Sequence, residues 1–297
     1  MPIDVRADLV EMTQARFATI AYEVMSKAFA VHKELGNLFD EAVYRNALAD
    51  RLNDVVTEVQ IDVRYRDFCK VYFMDALVAG GAVFELKAVK ELHESHRSQL
   101  LHYLLLADLH HGTLINFGTG TVEHEFVNAP LTHEDRRSFA VEDRGWIATD
   151  GFGSNEKDLL LDILRNWGAG LDGALYREAL LHFLGGADRV LTRLDVHHDG
   201  RYIGQQTIPI TGDSTGFRLT TFQNGAKPYR QDLIRLMQAT RIKSLQWINV
   251  SRKKVTFETL NFFGSNFSVS HKMNPTAQNI PSNSISIECC AAVPGSK

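Results

Sequence analysis

The sequence predicts an α/β protein built from two tandem copies of one core. Three observations predict it: segments of helical period lead into segments that alternate, the same order recurs after an offset of 132 residues, and 297 residues leave room for two buried cores. From Phe17 to Leu35 the apolar residues Ile20, Val24, Ala28 and Val31 fall three or four apart, which predicts an amphipathic helix ending at Gly36. A second helix is expected over Asp40 to Leu52. Val55 to Tyr65 alternates, and Val71 to Val78 and Ala82 to Ala88 flank Ala79-Gly80-Gly81, the pattern of a hairpin. Ser95 to Leu109 is helical in period. Thr113 to Phe117 reads as a short buried strand that stops at Gly118-Thr-Gly.

The recurrence is direct. Gly36-Asn-Leu-Phe-Asp-Glu-Ala-Val-Tyr-Arg-Asn-Ala-Leu48 matches Gly168-Ala-Gly-Leu-Asp-Gly-Ala-Leu-Tyr-Arg-Glu-Ala-Leu180 with seven identities in thirteen. At an offset of 133, Phe84 to Asn128 then aligns without a gap to Phe217 to Asn261, keeping Leu86/Leu219, Ile115-Asn116/Ile248-Asn249, Val122/Val255 and Glu125/Glu258. The expected organisation is a first core over residues 1–130, a polar, turn-rich linker over 131–156, a second core over 157–265, and a flexible Asn-, Ser- and Pro-rich tail over 266–297.

Composition excludes several classes. At 44% hydrophobic and 23% charged the chain is neither disordered nor fibrous. No apolar run approaches a membrane span, and the acidic N-terminus is unlike a signal peptide, so a cytoplasmic protein without a membrane partner is expected. Cys69, Cys289 and Cys290 make neither a disulfide framework nor a zinc site. His32 is read as a structural hydrogen-bonder, and His110-His111 and His197-His198 as surface features. The net charge of −4 hides an asymmetry: residues 1–150 carry 15 Lys and Arg against 24 Asp and Glu, and residues 151–297 carry 17 against 12, or −9 and +5.

The chemistry lies in the hairpin. If Ala79-Gly80-Gly81 is a three-residue loop, Val78 pairs with Ala82 and Asp75 falls opposite Glu85, both on one face with Lys87. Met74, Ala76, Val78, Ala82, Phe84, Leu86 and Ala88 then form an apolar opposite face. Two facing carboxylates repel unless something positive sits between them. A hard cation answers that need: two carboxylates, a backbone carbonyl and water suit Mg²⁺ or Mn²⁺.

Asp75-x9-Glu85-Leu86-Lys87 on a hairpin resembles the core signature of the PD-(D/E)xK nuclease superfamily. Around it, Val31-His32-Lys-Glu-Leu-Gly36, Glu41-Ala-Val-Tyr44, Phe84-Glu-Leu-Lys-Ala-Val89, Gln99-Leu-Leu-His-Tyr103 and Leu114-Ile-Asn-Phe-Gly118 resemble the GxxExxY protein family over roughly residues 17–128. Leu38 stands where that family's motif opens on glycine. The resemblance implies two tandem PD-(D/E)xK nuclease-like (restriction-endonuclease-like) cores, each a mixed sheet flanked by helices. It also implies a helix-borne acid, Glu41, near a metal held by Asp75 and Glu85, and a Gln99/Tyr103 pair like the Q-x3-Y element of RecB-like nucleases. Gln99 and Tyr103, four apart, share one helix face.

A blander reading makes Asp75 and Glu85 solvated sheet residues with Lys87 pairing to Glu85, Glu41 a partner of the helix dipole, and Gln99 and Tyr103 packing residues. The flanking motifs favour the catalytic one. The second copy supplies a control: it has Ile208, Arg218, Thr220, Gly173, Asp232 and Leu236 where the first has Asp75, Glu85, Lys87, Glu41, Gln99 and Tyr103. The expectation is therefore a Mg²⁺- or Mn²⁺-dependent phosphodiesterase with one site. Nucleic acid is its partner, DNA for preference, with Arg252, Lys253 and Lys254 as candidate contacts and a homodimer as a means to cut both strands. The rival is a non-catalytic nucleic-acid-binding or interaction module on the same fold.

Overall fold

The computed structural model describes residues 2–148, 156–211 and 214–262. Helix α1 (Gln14–Leu35) starts where the Thr13 hydroxyl accepts the Arg16 N–H, and ends where Gly36, at φ 74°, returns its N–H to His32 O. Helix α2 (Glu41–Ala49) follows. The first sheet runs in the order β1 (Ile3–Val5), β2 (Val55–Tyr65), β3 (Phe68–Val78), β4 (Ala82–Lys87), β5 (His111–Asn116), β6 (Glu123–Asn128). All its pairs are antiparallel except β4 with β5, which α3 (Glu94–Ala107) joins as a crossover.

After α4 (His133–Arg137) and β7 (Ala140–Arg144) come α5 (Glu156–Trp167), α6 (Gly173–Phe183) and the short α7 (Ala187–Val190). The second sheet is completed by β8 (Leu191–His198), β9 (Arg201–Thr211), β10 (Thr215–Thr220), β11 (Ser244–Val250) and β12 (Lys254–Asn261). Its order is β7-β12-β11-β10-β9-β8, with β10 and β11 parallel across α8 (Ala226–Thr240). From α5 to β12 the pairing pattern is that of α1 to β6, and three polar arrangements recur at the sequence offset. Tyr44 donates its hydroxyl to Gly36 O (2.8 Å) and receives the Phe39 N–H, as Tyr176 does with Gly168 O (2.6 Å) and Leu171. Asn116 clamps the backbone N–H and C=O of Val89, as Asn249 clamps those of Phe222. Arg97 pairs with Glu125 as Arg230 pairs with Glu258.

The stretch 131–156, expected as a linker, holds α4 and β7, and β7 pairs in parallel with β12 as an edge strand of the second sheet. Its charged sequence, Glu142-Asp143-Arg144, suits a strand paired on one side and exposed on the other. The 266–297 tail lies outside the described residues. Among the described residues no helix is long and apolar enough to cross a membrane.

One core spans both halves. Val59, Ile61, Val63, Leu114 and Leu104 of the first half cluster with Leu160, Trp167, Leu175, Tyr176, Ile248 and Phe257 of the second, so α5 and α6 lie between the sheets. Polar ties cross the same boundary. The buried Arg136 guanidinium donates to Trp167 O (3.0 Å) and Leu105 O (2.6 Å), and the Trp167 indole N–H donates to Arg64 O (2.9 Å). A second cluster, with Phe17, Val24, Ala28, Val31, Tyr44, Phe84 and Leu86, packs α1 and α2 on the outer face of the first sheet.

Candidate functional site

The hairpin has the register expected of it: Val78 pairs with Ala82, Leu77 with Val83 and Ala76 with Phe84. The ladder then stops, and the strands part where Asp75 faces Glu85. There the Leu86 N–H is taken by Asp75 Oδ2 at 2.8 Å. One expectation fails. Met74 does not share the face of Ala76 and Phe84, but packs with Leu77 and Val83 in the core between the halves. The cause is an irregularity at Glu58 on β2, whose φ of 52° interrupts pairing between Thr57↔Ala76 and Val59↔Met74, so both strands change face together.

Asp75, Glu85 and Lys87 are all buried, and they are assembled: Lys87 Nζ lies 2.6 Å from Glu85 Oε1. Glu41, in the first turn of α2, reaches Lys87 Nζ at 3.4 Å. A residue that sequence reasoning missed completes the cluster. Arg45, one turn after Glu41 on α2, bonds Asp75 Oδ1 at 3.2 Å and Glu58 at 2.9 Å. The spacing of four from Glu41 was the available signal. On α3, Gln99 donates to the Tyr103 hydroxyl at 2.9 Å, and Tyr103 lies within the field of Glu85 and Asp75.

The electrostatics are those of a site short of positive charge. Burial and then the neighbouring Asp75 push the Glu85 carboxyl up to about 8, against the pull of Lys87. Burial and Asp75 raise Glu41 as well. Burial alone would lower Lys87, but Glu85, Glu41 and Asp75 outweigh it and hold the ammonium above its ordinary value. Burial raises Tyr103, with its Gln99 bond opposing. Glu85 Oε2 is buried with no hydrogen-bond partner among the described residues.

That orphaned oxygen, in a group of acids (Asp75, Glu85, Glu41) and cations (Lys87, Arg45), is the donor chemistry a hard divalent ion uses. Among the described residues no three Asp, Glu, His or Cys side chains stand together as a ready-made metal site. Glu41 touches the cluster through Lys87 and lies within the electrostatic reach of both Asp75 and Glu85.

Arg252, Lys253 and Lys254 are exposed at and just after the β11–β12 turn of the second sheet, and Lys254 Nζ pairs with Glu142 at 3.0 Å. His32 bonds Thr119 O at 2.9 Å, a structural contact. Leu38 is exposed and takes no positive φ, so the turn before α2 needs no glycine there.

Residues 18–128 match the model of a protein family described as the PD-(D/E)XK nuclease superfamily, and the N-terminal half carries a nuclease domain of that kind. No curated protein matches the chain. A solved structure titled "Crystal structure of SSO0001" is 22% identical over 40% of this chain and 63% of that one, with a TM-score of 0.27. A superposition so loose carries no weight for the fold.

Proposed function

We propose that this PD-(D/E)XK domain is a divalent-metal-dependent nuclease with one active site, formed by Asp75, Glu85 and Lys87. The observation that carries the reading is Glu85 Oε2, buried with no hydrogen-bond partner among the described residues, where the β3–β4 ladder parts. Asp75 and Glu85 would hold the ion, Mg²⁺ or Mn²⁺, together with a backbone carbonyl and water. A bound ion supplies charge for a phosphoryl oxygen and a water that ionises near neutral pH. Lys87, held protonated by its acidic neighbours, neutralises charge developing on the phosphate and is no base. Glu41 keeps Lys87 in position, and the Gln99–Tyr103 pair offers polar groups from α3 to the strand being cut. In the hydrolysis a water oxygen joins phosphorus, one P–O ester bond breaks, and the leaving oxygen takes a proton.

The finer kinship with the GxxExxY family rests on Glu41, Tyr44 and the segments around the hairpin. The second half reads as a copy that kept the fold and lost the site, since the shared Tyr, Asn and Arg–Glu contacts persist while every proposed catalytic side chain is replaced. Its positive balance suggests a surface that holds nucleic acid, DNA for preference, for the acidic first half. With one site per chain, a monomer nicks or trims, and cutting both strands requires a homodimer or two encounters.

The test is purified chain with Mg²⁺ or Mn²⁺ on circular DNA, linear DNA and RNA, beside Asp75→Ala and Lys87→Ala. Loss of cleavage of at least about a hundredfold in both variants is expected, the scale of removing one charge-stabilising group. Equal behaviour of wild type and variants would mean a binding module without this chemistry.

A further inference from the structure

The second half contains a cavity of about 100 Å³ between β11, β12, β7 and the start of α8, lined by Arg144, Lys254, Thr256, Asn249, Trp247 and Phe222 among others. We propose that it binds a phosphate group of a nucleic acid strand, and so makes the second half a phosphate-holding site that does not cut. This goes beyond the nuclease reading, because its residues lie in the other sheet.

Four observations carry it. The volume of about 100 Å³ leaves room for a phosphate group. Thr256 is 8% exposed and its hydroxyl has no hydrogen-bond partner among the described residues, although it lines the cavity. Arg144 and Lys254 stand side by side because Glu142 bridges them, Arg144 Nε at 2.8 Å and Lys254 Nζ at 3.0 Å, which leaves one net positive charge at the wall. Ala226, the first residue of α8, also lines the cavity. Its cap, Gly225, supplies no side-chain acceptor, so the N–H groups of Ala226 and Lys227, ahead of Pro228, which has none, are available to an anion.

The first half argues the same point by contrast. Both places are built around the same buried asparagine, Asn116 or Asn249, clamping the strand end before it. At the positions of Lys254 and Thr256 the first half has Thr121 and Glu123, and Glu123 accepts from Asn116 Nδ2 at 3.2 Å, placing a negative charge beside the asparagine. The first sheet ends at β6, so it has no counterpart of β7 to supply an arginine. The second half has exchanged an acid for a free hydroxyl and gained two cations.

The experiment titrates the full chain with inorganic phosphate in EDTA, where metal-dependent hydrolysis does not run, against KCl at matched ionic strength. Tryptophan fluorescence is the readout, and Trp247 in the wall is the reporter. A saturable change is expected that disappears in Trp247→Phe, weakens about three- to tenfold in Lys254→Ala and in Arg144→Gln, and weakens more than tenfold in Thr256→Glu, which rebuilds the first half's acid. Lys254→Ala and Arg144→Gln alter exposed side chains, so the test stands even if Thr256→Glu does not fold. A dinucleotide with and without a 5′-phosphate separates the sources: binding of only the phosphorylated form assigns the site to strand ends, and binding of both assigns it to the backbone. No saturable change, or equal affinity in wild type, Lys254→Ala and Arg144→Gln, overturns the proposal.

Discussion

Glu85 makes the metal-free fold sensitive to pH in a direction opposite to that of most carboxylates. Its ordinary value is 4.5, and burial with Asp75 beside it raises it to about 8 in the folded protein. Between those values the folded chain keeps a proton that the unfolded chain has lost. Stability present below 4.5 is therefore lost as pH rises toward 8, by about 1.4 kcal/mol for each pH unit. From about pH 6 to about pH 7.5 the loss is about 2 kcal/mol, an upper figure because local relaxation offsets part of it. Glu85→Gln keeps the shape and removes the titration, so the variant should be the more stable of the two at pH 7.5 and should lack this slope. Urea unfolding in EDTA at several pH values measures it. Adding Mg²⁺ or Mn²⁺ should flatten the wild-type slope, since a cation favours the ionised carboxylate. Parallel stability profiles of wild type and Glu85→Gln across this range would refute the reasoning.

Three further outcomes are expected. Removing the cation from Arg45 (Arg45→Met) frees Asp75 Oδ1 and should tighten Mn²⁺ binding several-fold by calorimetry, and weaker binding would mean that Arg45 orients Asp75 for the ion. Asn116→Ala leaves the Val89 N–H and C=O without the partners they have now and should cost about 2–3 kcal/mol in denaturant unfolding, whereas a cost under about 0.5 kcal/mol would mean that water replaces the side chain. A chain ending near residue 130 loses Trp167, Leu160 and Tyr176 from the shared core and should be unfolded or aggregated by circular dichroism and light scattering; a monomeric, cooperatively melting fragment would show that the first half holds its core alone.

The hairpin was legible because its signals are local: a glycine pair, flanking alternation and two carboxylates whose register follows from loop length. Gln99 and Tyr103 were legible for the same reason, being one turn apart. Met74 was not, because the change of face depends on Glu58 taking a positive φ, and nothing in a Thr-Glu-Val sequence announces that. The edge strand β7 was hidden by its charges, which read as loop until β12 is seen to pair with it. Arg45 could have been found on the face of Glu41, but its partner Asp75 comes from an element 30 residues away. The shared core was illegible in principle, since apolar residues of α5 and α6 would pack as well on their own sheet as between two.

The second sheet shows which part of the site belongs to the fold and which to the acids. The β9–β10 ladder also stops short, at Thr211↔Thr215 and Gly216↔Ile210, and the same register carried on sets Ile208 opposite Arg218, as Asp75 stands opposite Glu85. Strand parting at this point therefore does not require a carboxylate, for Ile208 there is wholly buried. The fold supplies an unpaired gap beside a crossover helix, and each half fills it differently. In the first, Asp75 takes the stranded Leu86 N–H and Glu85 is left with an oxygen to offer. In the second, the Trp247 indole donates to Thr220 and Thr220 to Asn249, so local partners satisfy the polar groups where Lys87 would have stood. An acid placed at the buried Ile208 would stand opposite Arg218, with Arg177 at the sequence position of Arg45 but Thr220 at that of Lys87 and Gly173 at that of Glu41, so a single substitution does not rebuild the first half's arrangement there.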